Sequence, residues 1–318
     1  MTHTLDVAAV VVSYNVRDLL LQCLASLRPA LERQHLTIVV VVDNDSDDDS
    51  VGATHARFPD IRIIEAENLG YGAGANSGIA ATSSEFVLVL NPDTVVPAGT
   101  IARLAEYMSA NPRVGVAAPR LRYPDRTVQS TRRRFPRRLT PIFESTIFER
   151  IWPSNPWTVR YQMLDSEPDS VEHVDWVVGA CLLLRRAAIE QAGGFNESFW
   201  MYCEDTELCW RLRRHGWKTA IIPDVEVTHH EAASSSQNTA RRQVAFDRSR
   251  IELQRRLYGQ ATARLCAAGI KVGYVLDLAL EGGKYLVGHK RDLRRQRVTA
   301  YVSLLRANLL AGAGPEQR

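Results

Sequence analysis

Short, almost wholly apolar runs alternate along this chain with longer segments whose apolar residues recur every three or four positions. Val7–Val12, Thr37–Val42, Ile61–Ile64, Phe86–Leu90 and Val114–Ala118 are the runs. A strand buried on both faces, as in a parallel sheet, shows that lack of polar alternation. After the first run, Leu19, Leu20, Cys23, Leu24 and Leu27 keep helical spacing, in a helix expected to end before Pro29. Ala73–Ala81 predicts a helix of small residues, and Asn111-Pro112 closes the helix that follows the fourth run. This strand–helix alternation predicts an α/β core with a Rossmann-like, mostly parallel sheet and helices on both faces.

From Arg122 to Ser170 the pattern fails, and six prolines divide short aromatic segments. A stretch of that length without a period suggests a functional loop or lid. Val174–Arg185 then predicts an apolar strand, Glu204–His215 an amphipathic helix with Leu208 and Leu212 inward, and Ala220–Pro223 and Val225–Thr228 two short strands. Ala232–Ser236 is a small-residue linker, and beyond Arg241 the chain predicts helix, free of proline until Pro315. The expected organisation is 1–120, a nucleotide-binding half; 121–240, the second half of the same domain; and 241–318, a basic helical extension.

Polar motifs sit where the apolar runs end: Ser13-Tyr14-Asn15, Asp43-Asn44, Asn91-Pro92-Asp93 and, further on, Glu204-Asp205. Ligands of open α/β sheets bind beyond the carboxyl ends of the strands, so these motifs are expected to converge on one anionic pocket. Such a pocket suits a phosphorylated substrate only with a divalent cation, Mg²⁺ or Mn²⁺, between them.

Composition narrows the class. The 318 residues are 45% hydrophobic and 24% charged, which fits a globular chain with room for an α/β core and an appended element. The net charge of +3 hides a split: residues 241–318 carry 16 Lys+Arg against 6 Asp+Glu, leaving 23 against 30 for residues 1–240. A basic tail on an acidic body suggests contact with an anionic surface rather than with nucleic acid. Five cysteines without a CxxC pair read as reduced thiols, and with neither a signal peptide nor a spanning apolar run the expectation is a cytoplasmic protein, soluble or peripheral on the inner face of the membrane.

Taken residue by residue, each motif has two readings. Asp43 can accept the imide N–H of a uracil or thymine ring, or simply cap a turn. Asn68–Asn76 is a glycine-rich loop opening a helix, a place that favours an anion. It fits G-x-G-x-x-A with Asp93 23 residues beyond Gly70, so an NAD-dependent dehydrogenase competes, although the glycines follow the third strand and not the first. Asp93 can hold a hard cation, and His229, which ends the strand Val225–Thr228 where it could face the same crevice, would supply an imidazole suited to Mn²⁺ as well as Mg²⁺; a lone histidine is otherwise structural. Glu204-Asp205 can complement a helix dipole or form a general base raised by apolar neighbours. A non-catalytic nucleotide-sugar-binding protein would have no need of that pair.

From about Val7 to Tyr258 the chain resembles the inverting family-2 glycosyltransferases of GT-A fold, in their bacterial rhamnosyltransferase-like branch. The resemblance rests most on Trp176-Val177-Val178-Gly179-Ala180 and on Gly193–Leu208, which contains Phe199-Trp200-Met201-Tyr202-Cys203-Glu204-Asp205, closing with Arg211 and Gly216; Gln129, Arg133 and Phe135-Pro136 add to it. It implies that Ser13, Tyr14, Asn15, Asp43, Asn68, Gly70, Tyr71, Asn76, Asn91 and Asp93 hold the nucleotide sugar and that Asp93 and His229 serve the metal. It further implies that Asp205 is the base with Glu204 beside it, and that Trp176, Gly179, Ala180 and Arg133 face the acceptor. Asn91 stands where such enzymes commonly carry the first acid of a DxD pattern, and Asn196 where aspartate is frequent. The implied donor is dTDP-rhamnose first, then UDP-sugars or GDP-mannose, and the implied acceptor is a glycan or lipid-linked hydroxyl. Apolar stripes at Val272, Val275, Leu276, Ala279, Gly283 and Leu286, and at Val298, Tyr301, Val302, Leu305 and Leu309, predict amphipathic helices. They would lie on an anionic leaflet, pack on the body, or form a homodimer.

Overall fold

The computed structural model describes residues 6–164, 168–231, 239–288 and 290–314; the Ala232–Ser236 linker lies outside them. In chain order its elements begin β1 (Val7–Ser13), α1 (Arg17–Glu32), β2 (Ile38–Asp43), α2 (Ser50–Arg57), β3 (Arg62–Glu65), α3 (Tyr71–Ala80), β4 (Phe86–Leu90), β5 (Thr94–Val95), α4 (Thr100–Ala110) and β6 (Val114–Arg122). Then come β7 (Arg132–Arg133), α5 (Thr140–Phe143), α6 (Ile147–Ile151), α7 (Pro156–Gln162), β8 (Glu172–Val174), β9 (Trp176–Val177) and β10 (Cys181–Arg185). The last are α8 (Arg186–Ala192), α9 (Glu204–Arg214), β11 (Lys218–His229), α10 (Thr239–Tyr258), α11 (Gln260–Leu286) and α12 (Arg291–Arg306).

Two compact units emerge. The first comprises Met1–Arg133, Ser166–Trp200 and Glu204–Ser234, the second Arg134–Asp165, Met201–Cys203 and Ser235–Arg318. The first unit holds a nine-stranded mixed sheet in the order β3-β2-β1-β4-β10-β6-β11-β5, with β8 also on β11. β10, β5 and β8 run against the other strands. All seven residues of β1 are buried, as a central strand covered on both faces must be. Helices around the sheet close its core over Leu20, Leu24, Leu27, Leu104 and Met108.

The glycines of α3 have a steric cause. A Cβ on Gly78 would stand 2.3 Å from Val10 Cγ1, and one on Gly74 2.8 Å from Val12 Cγ1. The small-residue helix therefore lies directly on β1, closer than any larger side chain would allow.

Three expectations change. α1 runs past Pro29 to Glu32, with Arg33 N–H donating to the Pro29 carbonyl; a proline in the last turn costs the helix a single internal hydrogen bond. The expected strand Val174–Arg185 divides into β8, β9 and β10, because β8 pairs with β11, β9 pairs with β7, and the chain turns at Gly179-Ala180 before β10 joins β4. The two short strands after Ala220 are one strand, β11, whose register with β6 slips between Ile222 and Glu226. Pro223, which has no N–H for the ladder, sits at that bulge.

In the second unit the proline-broken stretch forms α5, α6 and α7, helices of four to seven residues. Helices so short show no period, though two carry side-chain caps: Thr146 accepts from Phe148 N–H and Asn155 from Thr158 N–H. Ile142 of this stretch joins α10, α11 and α12 around Val244, Ile251, Cys266, Ile270, Tyr274 and Leu304. The apolar stripe of α12 packs into that cluster through Tyr301 and Leu305, and Leu309 joins it from just beyond the helix. The stripe of α11 does not: Val272 and Val275 are each 52% exposed, Leu280 51% and Leu286 78%. Among the described residues no helix is long and apolar enough to cross a membrane.

Candidate active site

Three groups of polar residues gather beyond the carboxyl ends of the parallel strands of the first unit. The first lies where β1 and β2 end side by side, with Ser13 in register with Asp43. Both are buried. Asp43 Oδ2 accepts the Ser46 N–H at 2.9 Å, while Asp43 Oδ1, Ser13 Oγ and Asn44 Oδ1 are buried without a hydrogen-bond partner. Buried acceptors left unmatched cost stability, so a ligand bearing donors fits here. A cleft of about 550 Å³ opens beside Asp43, between residues 45–52 and Glu65–Glu67. Asn15 takes the left-handed conformation (φ 52°), receives the Asp47 N–H on its Oδ1 and donates its own N–H to Ser46 Oγ. Tyr14 is 37% exposed at the rim, and Asn68 is half-buried.

The glycine-rich loop is shaped by the protein itself. Gly70 has φ 108°, and a Cβ there would meet the Trp200 carbonyl oxygen at 2.3 Å. The Gly70 carbonyl accepts from Asn44 Nδ2 at 3.3 Å, which ties the loop to the end of β2. Asn76 spends both ends of its amide on the 195–197 loop, donating to the Phe195 carbonyl and Glu197 Oε1 and accepting the Phe195 N–H. The dinucleotide-like spacing of these glycines thus has a packing explanation.

The second group lies where β4 gives out. Asp93 is 8% exposed, and its Oδ1 stands 3.3 Å from His229 Nε2 at the end of β11. Asn91 Nδ2 is 3.4 Å from the same nitrogen, and the His230 N–H donates to the Asp93 carbonyl. One carboxylate oxygen and one imidazole nitrogen at this spacing are close to adjacent ligands on an octahedral ion, which lie about 3 Å apart when bonds are about 2.1 Å. Among the described residues no cluster of three His, Cys, Asp or Glu forms a metal cage. Two protein ligands completed by phosphate oxygens and water are how Mg²⁺ is usually held, so the residues fit such an ion.

The third group hangs from the turn before β10. Gly179 N–H donates to Asp205 Oδ2 at 2.9 Å, and Thr206 N–H donates to Asp205 Oδ1 at 2.6 Å, so α9 presents this carboxylate in a fixed orientation. Tyr71 OH donates to the Gly179 carbonyl at 3.2 Å. Glu204, 8% exposed, has a buried Oε2 with no partner. Burial, and then the charge of Asp205, push the Glu204 carboxyl up to about 8. Burial also raises Asp205, against the pull of the Thr206 and Gly179 N–H groups. The Tyr71 hydroxyl is raised by burial and by the Glu204 charge. The second and third groups adjoin, because Asn91 N–H donates to the Ala180 carbonyl at 2.9 Å.

Trp176 pairs with Arg133 across β9 and β7, and Arg133 Nη1 donates to Ser130 Oγ at 2.8 Å. Ala180 is fully buried, so its backbone, not its side chain, is what it offers. From the sequence, neither Asn44, a member of the Asp43-Asn44 motif, nor Thr206 has a role of its own. Asn44 looks like turn chemistry after Asp43, and Thr206 like an ordinary first-turn residue; only their contacts with Gly70 and Asp205 mark them.

The first unit is thus an open α/β sheet with buried acceptors at one strand end and an Asp–His pair and a raised carboxylate pair at others. The chain is a member of the family described as glycosyltransferase-like family 2, whose profile matches residues 4–245; it is a glycosyltransferase. It is 36% identical over 261 residues, 78% of this chain and 83% of the other, to N-acetylglucosaminyl-diphospho-decaprenol L-rhamnosyltransferase of Mycobacterium tuberculosis. It is 28% identical to a low-salt glycan biosynthesis hexosyltransferase of Haloferax volcanii, over 71% of this chain and 70% of that protein. Its fold is that of a mannosyltransferase from Pyrobaculum calidifontis solved in complex with GDP-Man and Mn²⁺, with a TM-score of 0.55, 18% identity, and coverage of 96% of this chain and 86% of that one. Membership in this family displaces the dehydrogenase reading of the glycine loop.

Proposed function

We propose that this enzyme moves a hexose, in the first instance L-rhamnose from dTDP-rhamnose, onto a hydroxyl of a lipid-linked glycan with inversion, in cell-envelope polysaccharide synthesis. The name of the 36% identical relative supports the donor and acceptor class. The mechanism is carried by one observation: the Asn91 N–H to Ala180 carbonyl bond sets the strand end bearing Asp93 beside the turn that holds Asp205.

Asp43 Oδ1, lacking a partner, accepts the imide N–H of the pyrimidine, and Ser13, Tyr14, Asn15, Asn68, Gly70 and Tyr71 line the path of the nucleotide sugar. Asn76 acts by holding the 195–197 loop. Asp93 and His229, with the Asn91 amide alongside, would hold Mg²⁺ or Mn²⁺. The ion, when bound, neutralises charge that grows on the departing diphosphate. The bond from the anomeric carbon to the diphosphate oxygen breaks while the acceptor oxygen bonds to the opposite face of that carbon. The acceptor proton passes to Asp205, whose orientation Gly179 and Thr206 fix and whose basicity burial raises. Trp176, Gly179, Ala180 and Arg133 border the acceptor side. A thermal-shift panel of dTDP-, UDP- and GDP-sugars with and without Mn²⁺ tests the donor: stabilisation by dTDP-rhamnose that requires Mn²⁺ and is lost in Asp93→Ala is expected, and stabilisation by another nucleotide alone reassigns it. Asp205→Asn is expected to leave that stabilisation unchanged while transfer falls about 10²–10⁴-fold; transfer at the parent rate would mean another base.

The exposed face of α11 supports a further element of the reading, that the protein lies peripherally on an anionic leaflet where a lipid-linked acceptor resides. Val272, Val275, Leu276 and Leu280 form an apolar row, and Lys290, Arg291 and Arg295 are exposed beyond its C-terminal end. An apolar row flanked by cations matches a lipid surface in both chemistry and charge.

A further inference from the structure

We propose that Gln129 is a positioning residue that fixes the imidazole of His229 with its Nε2 lone pair aimed at the cation site. The proposal rests on the metal reading above and adds a residue to it.

The argument is a count of donors and acceptors. Gln129 Nε2 donates to the backbone carbonyl of His229 at 2.7 Å, and a carbonyl can only accept, so this end of the amide is the nitrogen. The other end, Oε1, therefore faces His229 Nδ1 at 2.9 Å. An amide oxygen accepts and never donates, so Nδ1 carries the proton. In the neutral ring the lone pair is then on Nε2. That nitrogen faces Asp93 Oδ1 at 3.3 Å, with Asn91 Nδ2 at 3.4 Å. The Asn91 amide reaches that lone pair only at the long limit of a hydrogen bond and leaves the Asp93 oxygen facing it as a second acceptor, an arrangement that a cation resolves.

Gln129 is itself held firmly. It is 5% exposed, its N–H donates to the Leu121 carbonyl at 2.9 Å, and an isolated bridge joins Arg122 to Val128, which pins the loop to β6. Histidines that bind metals typically give their other N–H to an acceptor of this kind, and loss of that partner typically costs about 10–100-fold in metal affinity.

The test uses the full chain and reads binding and the ring itself, not turnover. Competition for Mn²⁺, followed by the electron paramagnetic resonance of the free ion with dTDP present, is expected to give an affinity about 10–100-fold weaker in Gln129→Leu. Gln129→Glu, which keeps an acceptor opposite Nδ1 but sets an oxygen against the His229 carbonyl, is expected to lose less affinity than Gln129→Leu. In ¹⁵N spectra of the histidine rings at pH 8, assigned by the signal lost in His229→Ala, Nδ1 of His229 is expected to be protonated. A bare Nδ1, an unchanged affinity in Gln129→Leu, or an equal loss in the Leu and Glu variants would each overturn the proposal. Asp93→Ala separates the two readings: if it leaves Mn²⁺ affinity untouched, the metal reading fails, while the protonation of Nδ1 is decided independently by the spectra.

Discussion

Glu204 couples the chemistry of the site to the stability of the fold. Its carboxyl titrates near 4.5 in an unfolded chain and is pushed up to about 8 in the folded one by burial and by Asp205. Between those values the folded state holds a proton that the unfolded state has released, so stability is present below the unfolded value and falls as pH rises through the window. Each unit of such a shift corresponds to about 1.4 kcal/mol. Glu204→Gln should therefore flatten the decline of Tm from pH 5 to pH 8 and raise Tm at the upper end, as differential scanning calorimetry would record. An unchanged decline would place the burden elsewhere. Gly179 acts at the same scale: a Cβ there would lie 3.3 Å from Asp205 Oδ2 and 3.4 Å from Asp205 Cβ. Asp205 thus has no room on that side, and its orientation is set by backbone as much as by its own rotamer.

At the scale of elements, the second unit is fastened by a buried ion network. Arg250 on α10 is 5% exposed and donates to the Glu144 carbonyl and Glu144 Oε2 and to Asp247 Oδ1, while Tyr274 of α11 donates to Asp247 Oδ2. Replacing Arg250 by methionine leaves Asp247 and Glu144 buried without their cation. A loss of about 3–5 kcal/mol is expected, read as a lowered denaturation midpoint. Gln254, one turn further along α10, donates to the Arg137 carbonyl, so α10 organises the stretch in which the sequence shows no period. Pro29 and Pro223 illustrate the opposite case. Each marks a real irregularity, yet the helix and the strand both continue through it, because a single missing N–H is cheaper than ending an element already packed on the core.

For the whole molecule, the split of charge between residues 1–240 and 241–318 takes on structural meaning. Part of the tail's positive charge is spent internally: Arg294, Arg297 and Lys284 all pair with Glu281. What α11 presents outward is an apolar row with Lys290, Arg291 and Arg295 exposed beyond it. At about 1 kcal/mol per cation near an anionic surface, these charges alone would bind weakly, so apolar insertion must supply the rest. Sedimentation with vesicles containing phosphatidylglycerol should capture the parent chain and lose the double variant Leu276→Asp, Leu280→Asp. Binding by neither would leave a second copy of the chain as the occupant of that face, and analytical ultracentrifugation of the two would then show a dimer in the parent only.

The sequence by itself determined the α/β alternation of the first unit, because strands buried on both faces must be apolar throughout, and a short window of residues suffices to show it. It also determined where the site's polar residues lie along the chain: Ser13, Asp43, Asp93, Glu204 and Asp205 each stand next to an apolar run or open a helix. Only the tertiary structure decided which of them meet. The pairing of His229 with Asp93, the Gln129 amide placed across His229, and the Gly179 N–H on Asp205 join residues 136, 100 and 26 positions apart. No local pattern encodes such distances. The two apolar stripes of the tail look alike in sequence, yet α12 packs inward and α11 remains exposed. Amphipathicity fixes which face of a helix is apolar, whereas only the neighbours present in the fold decide what covers it.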